Sequence, residues 1–140
     1  MIFVDANVFL RYLIQPVTPP DRINAHRAAV LFALVDAGAA EITTSDAILA
    51  EVAFILTSPR HYAASRSMAA TGLKTLLRSQ GRRMPEKDVS LRALDLWVGH
   101  PVLSYPDALA AAYSALHGDE LATFDNALSR TPGVTAYAFH

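Results

Sequence analysis

The chain has 140 residues, of which 52% are hydrophobic, and its formal net charge is −1. This length is typical of one domain with its own core, so we predict a single domain over residues 1–140. The sequence has no cysteine, which excludes disulfides and thiolate metal sites. No apolar run approaches the ~18 residues of a membrane span, and no signal-peptide pattern is present, so we expect a cytoplasmic protein without a membrane partner.

Short apolar runs alternate with helical patterns along the chain. In the first half of the chain we predict strands over 2–5 and 41–44 and helices over 6–14, 21–38, 46–57 and 65–80. Asp21 caps the second of these helices and Gly38 closes it, and Ser45 caps the third. In the second half we predict a short strand or extended link at Met84, helices over 87–98 and 106–116, a strand over 121–124, a helical turn over 126–130 and a last strand over 134–138.

This alternation predicts an α/β fold, in which helices cover both faces of a parallel sheet. The first predicted strand ends at Asp5 and is followed directly by a helix. Ligands of open parallel sheets bind at the carboxyl ends of the strands, near the point where strand order reverses. We therefore expect a functional site at the edge of the sheet that includes Asp5.

Three aspartates lie at strand ends or helix starts, and each also has a purely structural interpretation. Asp5 ends one predicted strand and Asp125 follows another, and each precedes a helix, where aspartate commonly acts as the cap. Asp107 stands three residues after Ser104, the spacing of a capping box, and Pro106 suits a first helical turn. Taken singly, none of the three is evidence of a site.

Glu51 lies in the middle of a helix that is otherwise almost entirely apolar. Helical periodicity places Ile48, Val52 and Ile55 on one face and Glu51 at the border of that face. A carboxylate that loses water there needs a partner or a metal, and no basic residue stands three or four positions away. The alternative is a glutamate that extends to solvent, but we favour a functional role.

Together, the four acids predict a metal site. The carboxyl edge of a parallel sheet can gather Asp5, Asp107 and Asp125, and a covering helix can bring Glu51 to the same edge. Clustered carboxylates repel one another unless a cation neutralises them. Oxygen ligands of this kind favour Mg²⁺ or Mn²⁺.

Four segments carry a resemblance to a known family. The run 3–8 (FVDANV) resembles the opening of PIN-domain proteins, and 49–52 (LAEV) resembles their second acidic motif. The run 105–111 (YPDALAA) resembles the third motif, and 122–128 (ATFDNAL) the fourth. Their order and the chain length match throughout, and the whole is similar to the VapC-type toxins of type II (VapBC) toxin–antitoxin systems.

The resemblance implies a three-layer α/β/α sandwich whose five-stranded parallel sheet has the order 3-2-1-4-5. It implies an endoribonuclease that uses Mg²⁺ or Mn²⁺ to hydrolyse RNA. Asp5, Glu51, Asp107 and Asp125 would be the catalytic and metal-binding residues, supported by Asn7 and Thr123. Some relatives have a further acid after the fourth motif, where this chain has Asn126, so the number of metal ions stays open.

The resemblance also implies partners, and it leaves two rival functions to exclude. The expected partners are a cognate VapB-like antitoxin, an RNA substrate and a second copy of the chain in a homodimer. A metal-dependent phosphatase with a strand ending in Asp usually needs a second Asp two residues later, and Asn7 stands there. A degenerate PIN-like binding module has no need to keep four acids.

Overall fold

Strands and helices alternate along the chain, as the sequence predicts. A computed structural model describes residues 1–79 and 81–139. The chain divides into two units, Met1–Pro85 and Glu86–His140. The first unit contains β1 (Ile2–Phe3), α1 (Ala6–Leu13), α2 (Pro19–Asp36), β2 (Ile42–Thr43), α3 (Asp46–Thr57) and α4 (Arg66–Arg78), and the second contains α5 (Lys87–Gly99), α6 (Tyr105–His117), β3 (Glu120–Leu121), α7 (Asn126–Ser129) and β4 (Thr135–Ala136).

In the first unit, β1 and β2 form a parallel pair with Ile2 opposite Ile42. The backbone N–H of Val4 donates to the carbonyl of Thr43 at 2.9 Å, which extends the pairing up to Asp5. On its other side, β2 forms a parallel bridge between Ile42 and Arg82. The segment around Arg82, two residues before Met84, therefore meets β2 through a single bridge on the side opposite β1, where the sequence predicts a short strand or an extended link.

In the second unit, β3 and β4 form another parallel pair. Each strand has two residues and is shorter than the predicted strands over 121–124 and 134–138. The described residues show parallel pairing of short strands within each unit, and the mixture of helices and strands fits the α/β class. The continuous five-stranded sheet stays a prediction.

Aromatic side chains form the centre of the first unit. Phe32 of α2 is fully buried, and its ring lies 5.8 Å from that of Phe9 and 4.3 Å from that of Tyr12. Both partners come from α1, so the two helices meet through rings that contribute large buried areas. This packing fixes α1, the helix that follows Asp5.

Small residues let the two long helices of the second unit approach closely. Ala108, Ala111 and Ala112 of α6 are fully buried, and α6 packs against α5. Trp97 and Tyr105 meet edge to face at 5.8 Å between ring centroids. Tyr105 is the first residue of α6, so this contact fixes the end of the helix that carries Asp107.

Capping residues explain where the helices begin. Ser45 caps α3 by accepting from the Ile48 N–H, and α3 has the bounds that the sequence predicts. The predicted cap of α2 is wrong: Thr18 caps it and Asp21 lies inside the first turn. Two prolines are the first residues of α2. Proline is suited to this position because the N–H groups of a first helical turn have no partner within the helix. Gly38 follows α2 with φ +73°, as expected of a residue after a helix end.

The remaining helix bounds differ by one or two residues from the predicted ones. Ser65 is the cap of α4 rather than its first helical residue, and the predicted end at Gln80 lies outside the described residues. Helices α5 and α6 both extend slightly beyond their predicted ends. None of these shifts moves a candidate site residue out of its element.

Arg82 is a buried cation in the first unit. Its side chain is 5% exposed, and its Nη2 lies 3.3 Å from Asp36 Oδ1 at the end of α2. The guanidinium also lies over the Phe32 ring, 5.2 Å from the ring centroid. Its Nε and Nη1 atoms find no hydrogen-bond partner within residues 1–79 and 81–139. The ion pair thus joins the bridging segment to α2 at the cost of desolvating a charge.

Candidate active site

Asp5 stands between β1 and α1. It occupies the N-cap position of α1, yet its side chain makes no capping hydrogen bond. The carboxylate is exposed, and its Oδ2 accepts a long hydrogen bond of 3.5 Å from Asn7 Nδ2. The preceding residue is held more firmly, because the buried hydroxyl of Thr44 donates to the Val4 carbonyl at 2.9 Å. Helix capping therefore does not account for Asp5, and its Oδ1 accepts no hydrogen bond from the described residues.

Glu51 lies on the exposed side of α3, and the expectation that it loses water is wrong. The buried residues of the helix are Leu49, Val52, Ala53 and Leu56. At about 100° per residue, Glu51 points roughly 150° away from the centre of that stripe. Among the described residues it has neither an ion-pair nor a hydrogen-bond partner. Its carboxylate is solvated and unengaged, so burial gives no support to a functional role.

Asp107 belongs to a complete capping box at the start of α6. The backbone N–H and the hydroxyl of Ser104 both donate to Asp107 Oδ2, at 3.0 and 2.8 Å. The Asp107 N–H donates back to the Ser104 hydroxyl at 3.2 Å. The structural role anticipated for this residue is therefore real. It occupies Oδ2, while Oδ1 accepts no hydrogen bond from any described residue.

Asp125 caps the short helix α7. Its Oδ1 accepts from the backbone N–H groups of Ala127 and Leu128, at 2.8 and 3.1 Å. The hydroxyl of Thr123 accepts from the Asp125 backbone N–H at 3.1 Å, so Thr123 fixes the backbone of Asp125 rather than its carboxylate. Capping again uses one carboxylate oxygen and leaves Oδ2 without a partner among the described residues.

Two of the four acids belong to each unit. Asp5 and Glu51 lie in the first unit, and Asp107 and Asp125 lie in the second. Within residues 1–79 and 81–139, no group of three or more His, Cys, Asp or Glu side chains forms a metal cluster. The convergence of the four carboxylates stays a prediction. Their chemistry still fits Mg²⁺ or Mn²⁺, because three of them keep an unengaged oxygen and the fourth keeps both.

A polar cleft in the first unit was not predicted from the sequence. It has a volume of about 540 Å³ and lies between α1 and α2. Arg11 and Arg27, one from each helix, contribute its charged groups. The sequence hides this cleft because two helices separated by a proline-rich loop build it together. Only their packing brings the two arginines to one place.

Comparison with known proteins assigns the family. The chain matches the PIN domain over residues 2–134, a span that contains all four candidate acids, and it therefore belongs to the PIN-domain family. PIN domains are generally metal-dependent nucleases, so the class of this protein is that of a hydrolase of nucleic acids. No curated protein matches the chain. Within the described residues, no helix has both the length and the apolar character to cross a membrane.

Proposed function

We propose that this chain is a Mg²⁺- or Mn²⁺-dependent endoribonuclease that hydrolyses RNA phosphodiester bonds and acts as the toxin of a VapBC-type pair. The observation that carries the proposal is the order of the four acids within a PIN-domain match that spans residues 2–134. Each acid lies in a segment that resembles one of the acidic motifs of the family. The free oxygens of Asp5, Asp107 and Asp125 support the proposal from the structure.

In this proposal, Asp5, Asp107 and Asp125 would hold the metal, and Glu51 would either bind it as well or accept a proton from the attacking water. When bound, a divalent cation supplies an activated water and stabilises negative charge on the phosphoryl oxygens.

Neighbouring residues hold these carboxylates in position. Asn7 donates to Asp5, and the Ser104 hydroxyl donates to Asp107. Thr123 fixes the backbone at Asp125, which also caps α7. In each aspartate, the hydrogen bond to one carboxylate oxygen limits the rotation of the carboxylate. Such support reduces the entropy that a metal ligand loses on binding.

The nuclease proposal is tested with purified protein and an end-labelled single-stranded RNA in Mg²⁺, Mn²⁺ or EDTA. Wild-type protein should cleave only with metal, and Asp5→Asn and Asp107→Asn should lose at least 100-fold of that activity, an order of magnitude typical of lost electrostatic catalysis. Asp88→Asn, in the first turn of α5, is the matched control and should cleave as wild type. Full cleavage in EDTA, or by either site variant, would falsify the proposal.

The toxin role and the partners need their own experiment. Expression of wild-type protein in a bacterial host should arrest growth, the Asp5→Asn variant should not, and co-expression of a cognate VapB-like antitoxin should restore growth. Light scattering of the purified chain should give the mass of a homodimer. Unimpaired growth at high levels of active protein would contradict the toxin role but not the nuclease chemistry. A monomer at high protein concentration would contradict the predicted homodimer.

A further inference from the structure

The cleft between α1 and α2 concentrates hydrogen-bond donors and positive charge. Two arginines and two asparagines are among the described residues that line it, and none of those lining residues is acidic, although Asp21 pairs with Arg11 beside it. The lining residues are Asn7, Val8 and Arg11 from α1, and Asn24, Arg27, Ala28 and Leu31 from α2. A cleft of this composition suits an anionic ligand with an apolar part.

The two arginines are held differently. Arg11 Nη2 pairs with Asp21 Oδ1 at 3.0 Å, which fixes the guanidinium and uses only part of its five N–H donors. Arg27 is exposed, and no described residue forms an ion pair or a hydrogen bond with it. Its charge is therefore not neutralised by the protein. One oriented and one uncompensated guanidinium facing the same cleft match a phosphate group, which arginine binds through paired N–H donors.

The cleft begins beside Asp5. Asn7 lines the cleft, and its amide also lies 3.5 Å from the Asp5 carboxylate. With a rise of about 1.5 Å per residue, α1 places Arg11 roughly 9 Å further along its axis than Asp5. A polyanion with one phosphate at Asp5 can therefore continue along α1 into the cleft.

We propose that this cleft binds a backbone phosphate of the RNA strand, away from the bond that is cleaved. Arg27 and Arg11 bind the phosphate oxygens, and the amides of Asn7 and Asn24 donate to the adjoining sugar and phosphate groups. The apolar side chains of Val8 and Leu31 contact the face of a base or sugar. The inference rests on the proposed nuclease function and adds a substrate-positioning subsite to it.

The experiment measures RNA binding separately from cleavage. Fluorescence anisotropy of a labelled single-stranded RNA is recorded in EDTA, where the metal-dependent reaction is absent. Arg27→Ala should raise the dissociation constant about five- to tenfold and lower the slope of log affinity against log salt by roughly one. Arg22→Ala removes another exposed arginine from α2, outside the cleft, and should change the dissociation constant less than twofold.

Steady-state cleavage provides a second readout. Arg27→Ala should raise KM with little change in kcat, because the phosphate it binds is remote from the reacting one. The Arg27→Gln variant keeps most of the side-chain volume and should behave as Arg27→Ala does, since the charge is what is lost. Thermal melts of all three variants should match that of wild type.

Several outcomes would overturn the inference. If the Arg27→Ala and Arg22→Ala variants bound RNA equally well, the cleft would not be a binding site for the RNA strand. An Arg27→Ala variant that binds RNA as wild type but loses affinity for a poly-glutamate peptide would assign the cleft to an acidic protein segment instead. Either result, with wild-type cleavage intact and Asp5→Asn inactive, rejects the subsite alone. Failure of wild type to cleave RNA at all rejects the nuclease function as well.

Discussion

Ser104 and Asp107 bind each other reciprocally: the Ser104 hydroxyl donates to Asp107 Oδ2 at 2.8 Å and accepts from the Asp107 N–H at 3.2 Å. The pair closes the first turn of α6 and also fixes the rotamer of a proposed metal ligand. Structural and functional roles thus coincide in one side chain. Substitutions at the two positions separate them.

We predict that Ser104→Ala lowers the free energy of unfolding by about 1 kcal/mol, the usual cost of a lost N-cap. It should also raise the Mg²⁺ concentration needed for half-maximal cleavage, because Asp107 is no longer held. Asp107→Asn should lose cleavage with a smaller loss of stability, since its amide oxygen can still accept from Ser104. Denaturant unfolding and metal titrations of both variants measure these effects. Equal cleavage by Ser104→Ala and wild type at every Mg²⁺ concentration would show that the capping box does not position the ligand.

A second prediction concerns Asp125 and the proposed metal. Asp125→Asn removes one negative charge but keeps the cap of α7, because Asn and Asp are equally good N-caps. In EDTA the variant should melt at a higher temperature than wild type, since repulsion among the proposed cluster is relieved. At about 100 times its dissociation constant, Mg²⁺ should stabilise wild type by about 2.7 kcal/mol and the variant much less.

Calorimetric melts of both proteins in EDTA and in Mg²⁺ test this prediction. Glu120→Gln is a suitable control, because it removes a carboxylate from β3 outside the proposed site. If Mg²⁺ did not change the melting temperature of wild type, and Asp125→Asn melted at a lower temperature than wild type, Asp125 would have a capping role only.

The third prediction concerns the buried Arg82. Asp36→Ala should cost about 1–2 kcal/mol, below the ~3–5 kcal/mol of a fully buried pair, because Asp36 is 52% exposed. Arg82→Met should cost less than Asp36→Ala, since an apolar chain of similar length needs no partner among Phe32 and its neighbours. In the Arg82→Met background, Asp36→Ala should be close to neutral.

Urea unfolding of the two single variants and the double variant gives the coupling energy between Arg82 and Asp36. If the effects of the two single substitutions added up in the double variant, the ion pair with Asp36 would not be what stabilises the buried Arg82. In that case the cation–π contact with Phe32 would be the main alternative source.

Two glycines with positive φ provide a fourth prediction. Gly81 has φ +82°, and an added Cβ would lie 3.0 Å from the Val35 carbonyl oxygen. Gly38 has φ +73°, and an added Cβ would meet open space. Gly38→Ala should therefore cost about 1–2 kcal/mol from backbone strain alone, and Gly81→Ala should cost more. Thermal unfolding measures the loss of stability in each variant. Equal losses would mean that the backbone near Gly81 can move to accommodate the added Cβ without a further loss of stability.

Elements with chemical markers at both ends were predictable from the sequence. The bounds of α3 were correct because Ser45 caps its start and Ser58-Pro59 follows its end. The predicted start of α2 is wrong because the helix begins two residues before Asp21 with two prolines, a residue type that occurs both in loops and in first helical turns. Strand lengths were overestimated at β1, β2, β3 and β4, since apolar content does not determine how many residues pair.

The candidate acids were identifiable because each occupies a distinct position at an element boundary or within a motif. The environment of Glu51 was not, because an almost uniformly apolar helix has no clear polar stripe that sets which side is buried. The engagement of Asp107 was foreseeable from its spacing to Ser104. The Arg11 and Arg27 cleft was not, because it depends on the packing of two helices and leaves no local mark.

The hydrogen bond from Thr44 to Val4 links residues 40 positions apart, and it has a consequence for synthesis on the ribosome. The apolar run that begins the chain has no strand partner until Ile42 and Thr43 have been translated. At about 5–20 residues per second, that interval lasts roughly 2–8 s. During this time residues 2–4 cannot form their native pairing with residues 41–43. The formation of the β1–β2 pair therefore depends on the order of synthesis as well as on the sequence of the two strands.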